Sequence, residues 1–194
     1  MQGLYISFFC ALIAFTSCNS STNTSSSQSA AKAPAAPVQS SLHGDGTHLL
    51  MNVVNQYYGL KNALVAGKAP RTDSAAILLG TAADTLTGNL KNDTSIAFTD
   101  LKPYLDSISQ FSKAIHNITD PTCERQRIDF AAISSAMYAL LKKVDIKNAG
   151  IYHEHCPMAL NEKGAYWLSD ESEIKNPYFG KKMLECGDVE DSLK

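Results

Sequence analysis

Charge imbalance is what this chain most conspicuously lacks. Seventeen Lys and Arg stand against nineteen Asp and Glu, a formal net charge of -2. There is no basic footprint for nucleic acid and no acidic block to form a solvating tail. Long apolar runs are missing too. The run from Leu4 to Phe15 in "LYISFFCALIAF" falls short of the roughly 20 residues that cross a bilayer as a helix. The preceding "MQGLY" has neither Lys nor Arg. From Asn19 to Thr47 large apolar side chains are scarce, and Ser, Thr, Ala, Pro and Gln dominate. Such a stretch buries too little surface to offset its ordering entropy.

The short apolar run suits a signal peptide. It ends in Thr16, Ser17 and Cys18, small residues before a cysteine, the pattern of a bacterial lipobox. The expected organisation is a lipoprotein signal peptide over residues 1–17, a disordered tether over 18–47 and a folded domain over 48–194. Cys18 is the expected lipidation site. No acidic run follows it, which favours an exported protein anchored in the outer membrane and facing the periplasm.

Four amphipathic stripes follow the tether. Leu50, Val53, Tyr57, Leu60 and Leu64 recur at helical spacing, and "GKAP" breaks the pattern. A second helix is expected from a cap at Thr72 or Asp73 to near Gly88. A third stripe runs from Ile96 through Leu105 to Ile118, with regular helix starting at Pro103. The fourth has Asp120 as cap, Pro121 at the first position and Phe130, Ile133, Met137, Leu140, Leu141 and Val144 on one face. Cys123 and Met137 are expected as core fillers. The fold class is mainly α, an antiparallel four-helix bundle.

The last quarter changes character. "GIYHEHCPM" and "GAYWLS", separated by "ALNEKG", read as a β-hairpin anchored by Tyr166 and Trp167. "NPYFGKKMLECG" reads as a short helix from Asn176 to Gly187. Both must pack on the bundle, since a lone hairpin is marginal.

These two segments carry the chemistry. His153, His155, Cys156 and Met158 crowd within six positions, and Met183 and Cys186 share a face if their segment is helical. On a strand His153 and His155 share one face while Glu154 and Cys156 share the other, so one ion meets all donors only if the strand bends. Pro157 gives a reason for the strand to end there. Thiols, thioethers and imidazole select Cu(I), with Zn(II) competing where both thiols ionise. The alternative is a Cys156–Cys186 disulfide, suited to an exported protein and worth roughly 3–4 kcal/mol in the chain-entropy description. A nucleophilic Cys156 with His155 as base is disfavoured, because neighbouring strand side chains diverge and no Gly-rich or oxyanion element follows.

In order, "YYGLKNALV", "QRIDFAAISSAMYALL", "HCPMA", "GAYWLS" and "NPYFGKKMLECG" resemble a domain family of uncharacterised function over residues 48–190. That family occurs in exported lipoproteins of Gram-negative bacteria and attached to periplasmic adaptor subunits of heavy-metal efflux pumps. The resemblance implies a helical bundle associated with copper or related metals. "CPM" also marks small heavy-metal-binding domains of copper pumps. Cys156 and Met158 match that element, His155 directly precedes it, and Met183 and Cys186 match the C-terminal element. Cys123 matches no motif.

The resulting expectation is a non-enzymatic metal-binding protein. It holds a soft metal ion, Cu(I) or else Zn, through donors drawn from His153, His155, Cys156, Met158, Met183 and Cys186. Its partners are the metal, a periplasmic efflux-pump adaptor and, through the lipid, a membrane; nucleic acid is not among them. The alternative is a docking module with a structural Cys156–Cys186 bridge and no metal.

Overall fold

The first apolar stripe forms α1, Gly46–Ala66, with Leu50, Val53, Tyr57, Leu60 and Leu64 all fully buried. The structure, a computed structural model, describes residues 36–94, 96 and 98–193. The expected signal peptide, lipidation site and most of the tether lie outside the described residues. Gly67 ends α1 at φ 63, where its N–H and that of Lys68 take up the carbonyls of Leu64 and Ala63.

Helix α2 spans Ala69–Leu90, α3 Phe98–His116 and α4 Glu124–Lys143. Successive helices pack on one another, as short connections require. Among the described residues no helix is long and apolar enough to cross a membrane. The core joins the four stripes, from Leu50 on α1 to Leu140 and Leu141 on α4, to buried residues of the C-terminal segments such as Ile151, Trp167 and Leu168. Burying such surface, at about 25 cal/mol per Å², is the main favourable term in folding.

The helix ends depart from the sequence reading. Helix α2 starts before Thr72, whose N–H and hydroxyl both reach the Lys68 carbonyl, and runs past Gly88 because Leu86 and Leu90 are buried. Helix α3 starts five residues before Pro103. The carbonyl that Pro103 cannot bond belongs to Thr99, and both residues are exposed at the helix surface, where such a carbonyl can be solvated. Asp120 does cap α4, accepting the N–H groups of Thr122 (2.9 Å) and Arg125 (3.0 Å), but from a turn ahead of the helix. These hydrogen bonds hold its carboxyl down at about 2. Pro121 lies in that turn, and Cys123 occupies the position before Glu124 at φ 61. Cys123 and Met137 are fully buried, as core fillers should be.

The folded body also begins earlier than residue 48. Gln39 and Lys147 exchange backbone hydrogen bonds of 3.0 and 2.8 Å, the Ser41 N–H reaches the Val144 carbonyl, and Leu42 is buried. One leucine in a polar stretch gives the sequence too little periodicity to show this.

After α4 come β1, Ile151–Cys156, β2, Ala165–Ser169, and β3, Asp188–Leu193, in the antiparallel order β2-β1-β3. The expected hairpin is β1–β2, with His155 opposite Tyr166 and Glu154 opposite Trp167. Between them Leu160, Asn161 and Glu162 hold left-handed conformations at φ 53, 60 and 63. Strand β3 is an addition to the sequence reading. The expected short helix shrinks to a 3-10 turn at Gly180–Lys182. Asn176 caps as expected, accepting the N–H groups of Tyr178 and Phe179.

The outer edge of β2 is closed by two tyrosines of the body. The Leu168 N–H donates to Tyr57 Oη at 3.0 Å, and Tyr178 Oη donates to the Tyr166 carbonyl at 2.6 Å. Arg127, buried on α4, ties the sheet's loops to the bundle. Its guanidinium donates to the carbonyls of Pro177 (2.8 Å), Thr122 (2.8 Å) and Leu64 (3.2 Å).

Candidate functional site

Strand alternation divides β1 into two chemistries. Glu154 and Cys156 are buried on one face, with Trp167 across from Glu154. His153 and His155 share the other face with Tyr166, and neither imidazole joins the sulfurs.

The histidine face is a stack of rings. His153 lies on Tyr138 of α4 with centroids 3.8 Å apart and planes 5° from parallel. Tyr166 follows at 4.8 Å from His153, and His155 at 4.2 Å from Tyr166. Tyr166, expected as an anchor, therefore stays exposed within this stack, while Trp167 is the buried anchor. His155 Nδ1 pairs with Glu190 Oε1 at 3.0 Å, and Tyr138 donates to Asp191 at 2.7 Å. Burial under Tyr138 lowers the His153 pKa, while the Asp191 hydrogen bond pushes the Tyr138 hydroxyl up to about 12. This surface is an aromatic and acidic face, and its imidazoles are engaged by neighbours on the sheet and on α4.

The opposite face holds the sulfurs. The β1–β3 ladder ends with His155 opposite Asp188, which brings Gly187 and Cys186 to the end of β1 beside Cys156. Cys186 therefore sits beside Cys156, close enough for the one thiol to act on the other. Burial, reinforced by the Cys156 thiol and the Asp188 charge, raises the Cys186 pKa to about 11. Both cysteines are free thiols. Met183 is bound to the same sulfur-bearing turn, its carbonyl accepting the Cys186 N–H at 3.2 Å. The Met158 side chain is 46% exposed at the rim.

Of the six expected donors, the structure thus brings Cys156 and Cys186 together, with Met183 bonded to Cys186 through the backbone and Met158 two residues beyond Cys156. It leaves His153 and His155 across the sheet. A Cys156–His155 nucleophile and base are separated by the same alternation. Among the described residues no group of three or more His, Cys, Asp or Glu is placed to hold a metal ion. The arrangement offers a pair of neighbouring thiols, donors that suit a soft, low-coordinate cation.

Three neighbours escaped the sequence reading. Asn176, fully buried, donates from Nδ2 to the Cys186 carbonyl at 2.6 Å, and its role as cap was the visible signal. Gly187, at φ 140, permits the close approach: a Cβ there would lie 2.7 Å from the His155 carbonyl oxygen and 2.8 Å from Trp167 Cη2. Glu154 is fully buried and neither of its carboxylate oxygens makes a hydrogen bond. Burial raises its pKa to about 7, against the pull of the Lys61 charge and the nearby Trp167 indole. Lys61 itself is buried, with Nζ on Ser169 Oγ at 3.1 Å and on Asp170 at 3.6 Å.

No curated protein and no solved structure matches the chain. A family model does match, over residues 53–149, half of the chain and all four helices save the first turns of α1. The span stops before β1, so the paired thiols lie beyond it. With its bundle matched along that length, the chain belongs to the family described as protein of unknown function, DUF3347.

Proposed function

We propose that the chain is a soft-metal carrier that holds Cu(I) between Cys156 and Cys186, with Met158 and Met183 as thioether donors. One observation carries the reading: two thiols from segments distant in the sequence lie against each other at the end of β1. Cu(I) accepts two thiolates, whereas a structural Zn(II) site takes four N, S or O ligands. With the imidazoles on the other face, Zn(II) would be short of donors. Because both ligands are deprotonated when they bind, loading the site releases protons.

The sequence supplies the setting. An apolar run ending in a lipobox-like Cys18 supports an exported, lipid-anchored protein at the outer membrane, facing the periplasm. The "HCPMA" and "NPYFGKKMLECG" motifs support a link to heavy-metal efflux, with a pump adaptor as the recipient of the ion. A tether lets the domain deliver its cargo without releasing it to bulk solvent.

Competition of the reduced protein against a Cu(I) chelator tests this. The expected result is one Cu(I) per chain, with affinity reduced at least about a hundredfold in Cys156→Ser, as for loss of a primary ligand. Wild-type affinity retained in both Cys156→Ser and Cys186→Ser removes the site.

A second reading, a docking module, draws on a different observation. Among the described residues, Met158, Tyr166, Leu184 and Val189 are four of the seven exposed large apolar side chains, all within the C-terminal third. Retention on an immobilised adaptor that survives removal of metal would favour it.

A further inference from the structure

Cys156 and Cys186 differ in the respect that matters most for covalent chemistry. Cys156 is fully buried, and Cys186 is partly exposed. Both are held in place. On one side the β1–β3 register runs to His155 and Asp188, with Gly187 pressed onto the β1 backbone and the Trp167 ring. On the other side Asn176 Nδ2 holds the Cys186 carbonyl at 2.6 Å, and the Asn176 N–H holds the Leu184 carbonyl at 2.8 Å. Two sulfurs fixed side by side react as an intramolecular pair, without a search through chain conformations. The remaining folded-domain thiol, Cys123, is buried at the start of α4 beside Thr72 Oγ1 at 3.8 Å, and it does not compete.

We propose that Cys186 and Cys156 form a thiol–disulfide exchange couple, in which Cys186 meets an external disulfide and Cys156 closes the bridge. The Cys186 thiolate attacks one sulfur of a small-molecule disulfide, R–S–S–R, forming a mixed disulfide and expelling one R–S⁻. The Cys156 thiolate then attacks the Cys186 sulfur and expels the second R–S⁻. The two cysteine protons end on the two leaving thiolates as R–SH. The protein pair gives up two electrons and the co-reactant takes them. The order follows from access, since an external disulfide reaches the partly exposed sulfur and not the buried one; the raised Cys186 pKa makes the first attack slow at neutral pH and faster as the pH rises. In one respect the inference rests on the metal reading: a bridge ties up both sulfurs that would hold Cu(I), so oxidation switches the carrier off.

The test uses the full chain, reduced and freed of reductant, then treated with oxidised glutathione and mapped by peptide mass. The expected product is a Cys156–Cys186 cross-linked peptide, lighter by two hydrogens than the dithiol, with Cys123 still free. In Cys156→Ser the reaction should stall with glutathione on Cys186. In Cys186→Ser, glutathione addition to Cys156 should be slower by at least about tenfold. A wild-type protein that remains a dithiol, or equally fast addition at Cys156 in Cys186→Ser, overturns the couple whatever the Cu(I) result. Cu(I) titration of the same samples keeps the two proposals apart. A cross-linked chain that binds Cu(I) as tightly as the dithiol leaves the couple standing and removes the metal from these sulfurs.

Discussion

Glu154 and Trp167 face each other across the β1–β2 ladder, with both carboxylate oxygens and the indole nitrogen buried and without a hydrogen bond. Burial disfavours the charged form of a carboxylate placed so, and its pKa rises from 4.5 to about 7. The folded state therefore holds a proton that the unfolded chain has lost. The stability this acid contributes is complete below about 4.5 and declines as the pH climbs to about 7. Glu154→Gln should flatten that decline and stabilise the metal-free protein at pH 8 by up to about 3 kcal/mol, with little gain at pH 4.5. Urea midpoints at the two pH values measure the difference. Equal midpoints for variant and wild type at pH 8 would show that the carboxylate ionises in the fold at no cost.

The two faces of β1 make a second contrast measurable. His153→Ala and His155→Ala should leave Cu(I) affinity within about twofold of wild type, since alternation keeps both imidazoles away from the sulfurs. The His155 variant also removes the 3.0 Å ion pair with Glu190, which is partly exposed and worth at most about 1 kcal/mol. Chelator competition decides the matter; a large affinity loss in either variant would bring an imidazole into the site.

Arg127 is the third case. Three backbone carbonyls from α1, the turn before α4 and the loop after β2 share one guanidinium. Arg127→Met preserves bulk and strands those carbonyls, at a cost of about 3 kcal/mol. Thermal unfolding should show it as a clear fall in midpoint, while an unchanged midpoint would mean that water replaces the guanidinium without loss.

Tyr57→Phe isolates the β2 edge. The hydroxyl accepts the Leu168 N–H and shares a 2.7 Å contact with Ser134. Its removal leaves a buried amide unsatisfied, for about 1–3 kcal/mol. Amide hydrogen exchange at Leu168 should accelerate relative to the rest of β1 and β2. Exchange as slow as in wild type would locate that amide's protection elsewhere.

The bundle was legible because its stripes are strong: every residue of the α1 stripe is core, and so is the α3 stripe apart from the partly buried Ile96, Phe111 and Ile118. Boundaries were harder. The turn ahead of α4 carries the right capping residue, yet Cys123 at positive φ delays the helix by a turn. Strand β3 was invisible because "DVEDSL" is acidic and exposed over its first half, and pairing with β1 makes it a strand rather than any propensity of its own. The sulfur pairing was legible from the "HCPM" and "MLEC" segments, though its geometry was not. A helix was expected to present Cys186, and a clamped turn feeding β3 does so instead. Burial of Glu154 and Lys61 left no trace in the sequence, since a charged residue on a strand or helix reads as solvent-facing by default.

The chain has one tryptophan, and its indole ring runs from the Glu154 carboxylate to the backbone of Gly187, next to Cys186. Fluorescence from that single ring consequently senses both ends of the inner face without an added dye. Ionisation of the carboxylate would alter the field on the emitting dipole, and the proposed copper or bridge at the sulfurs would open a quenching path at the ring's far edge. A protein with one tryptophan between an acid and a thiol pair can be followed in real time through both proposed events, with excitation that selects the indole over the tyrosines.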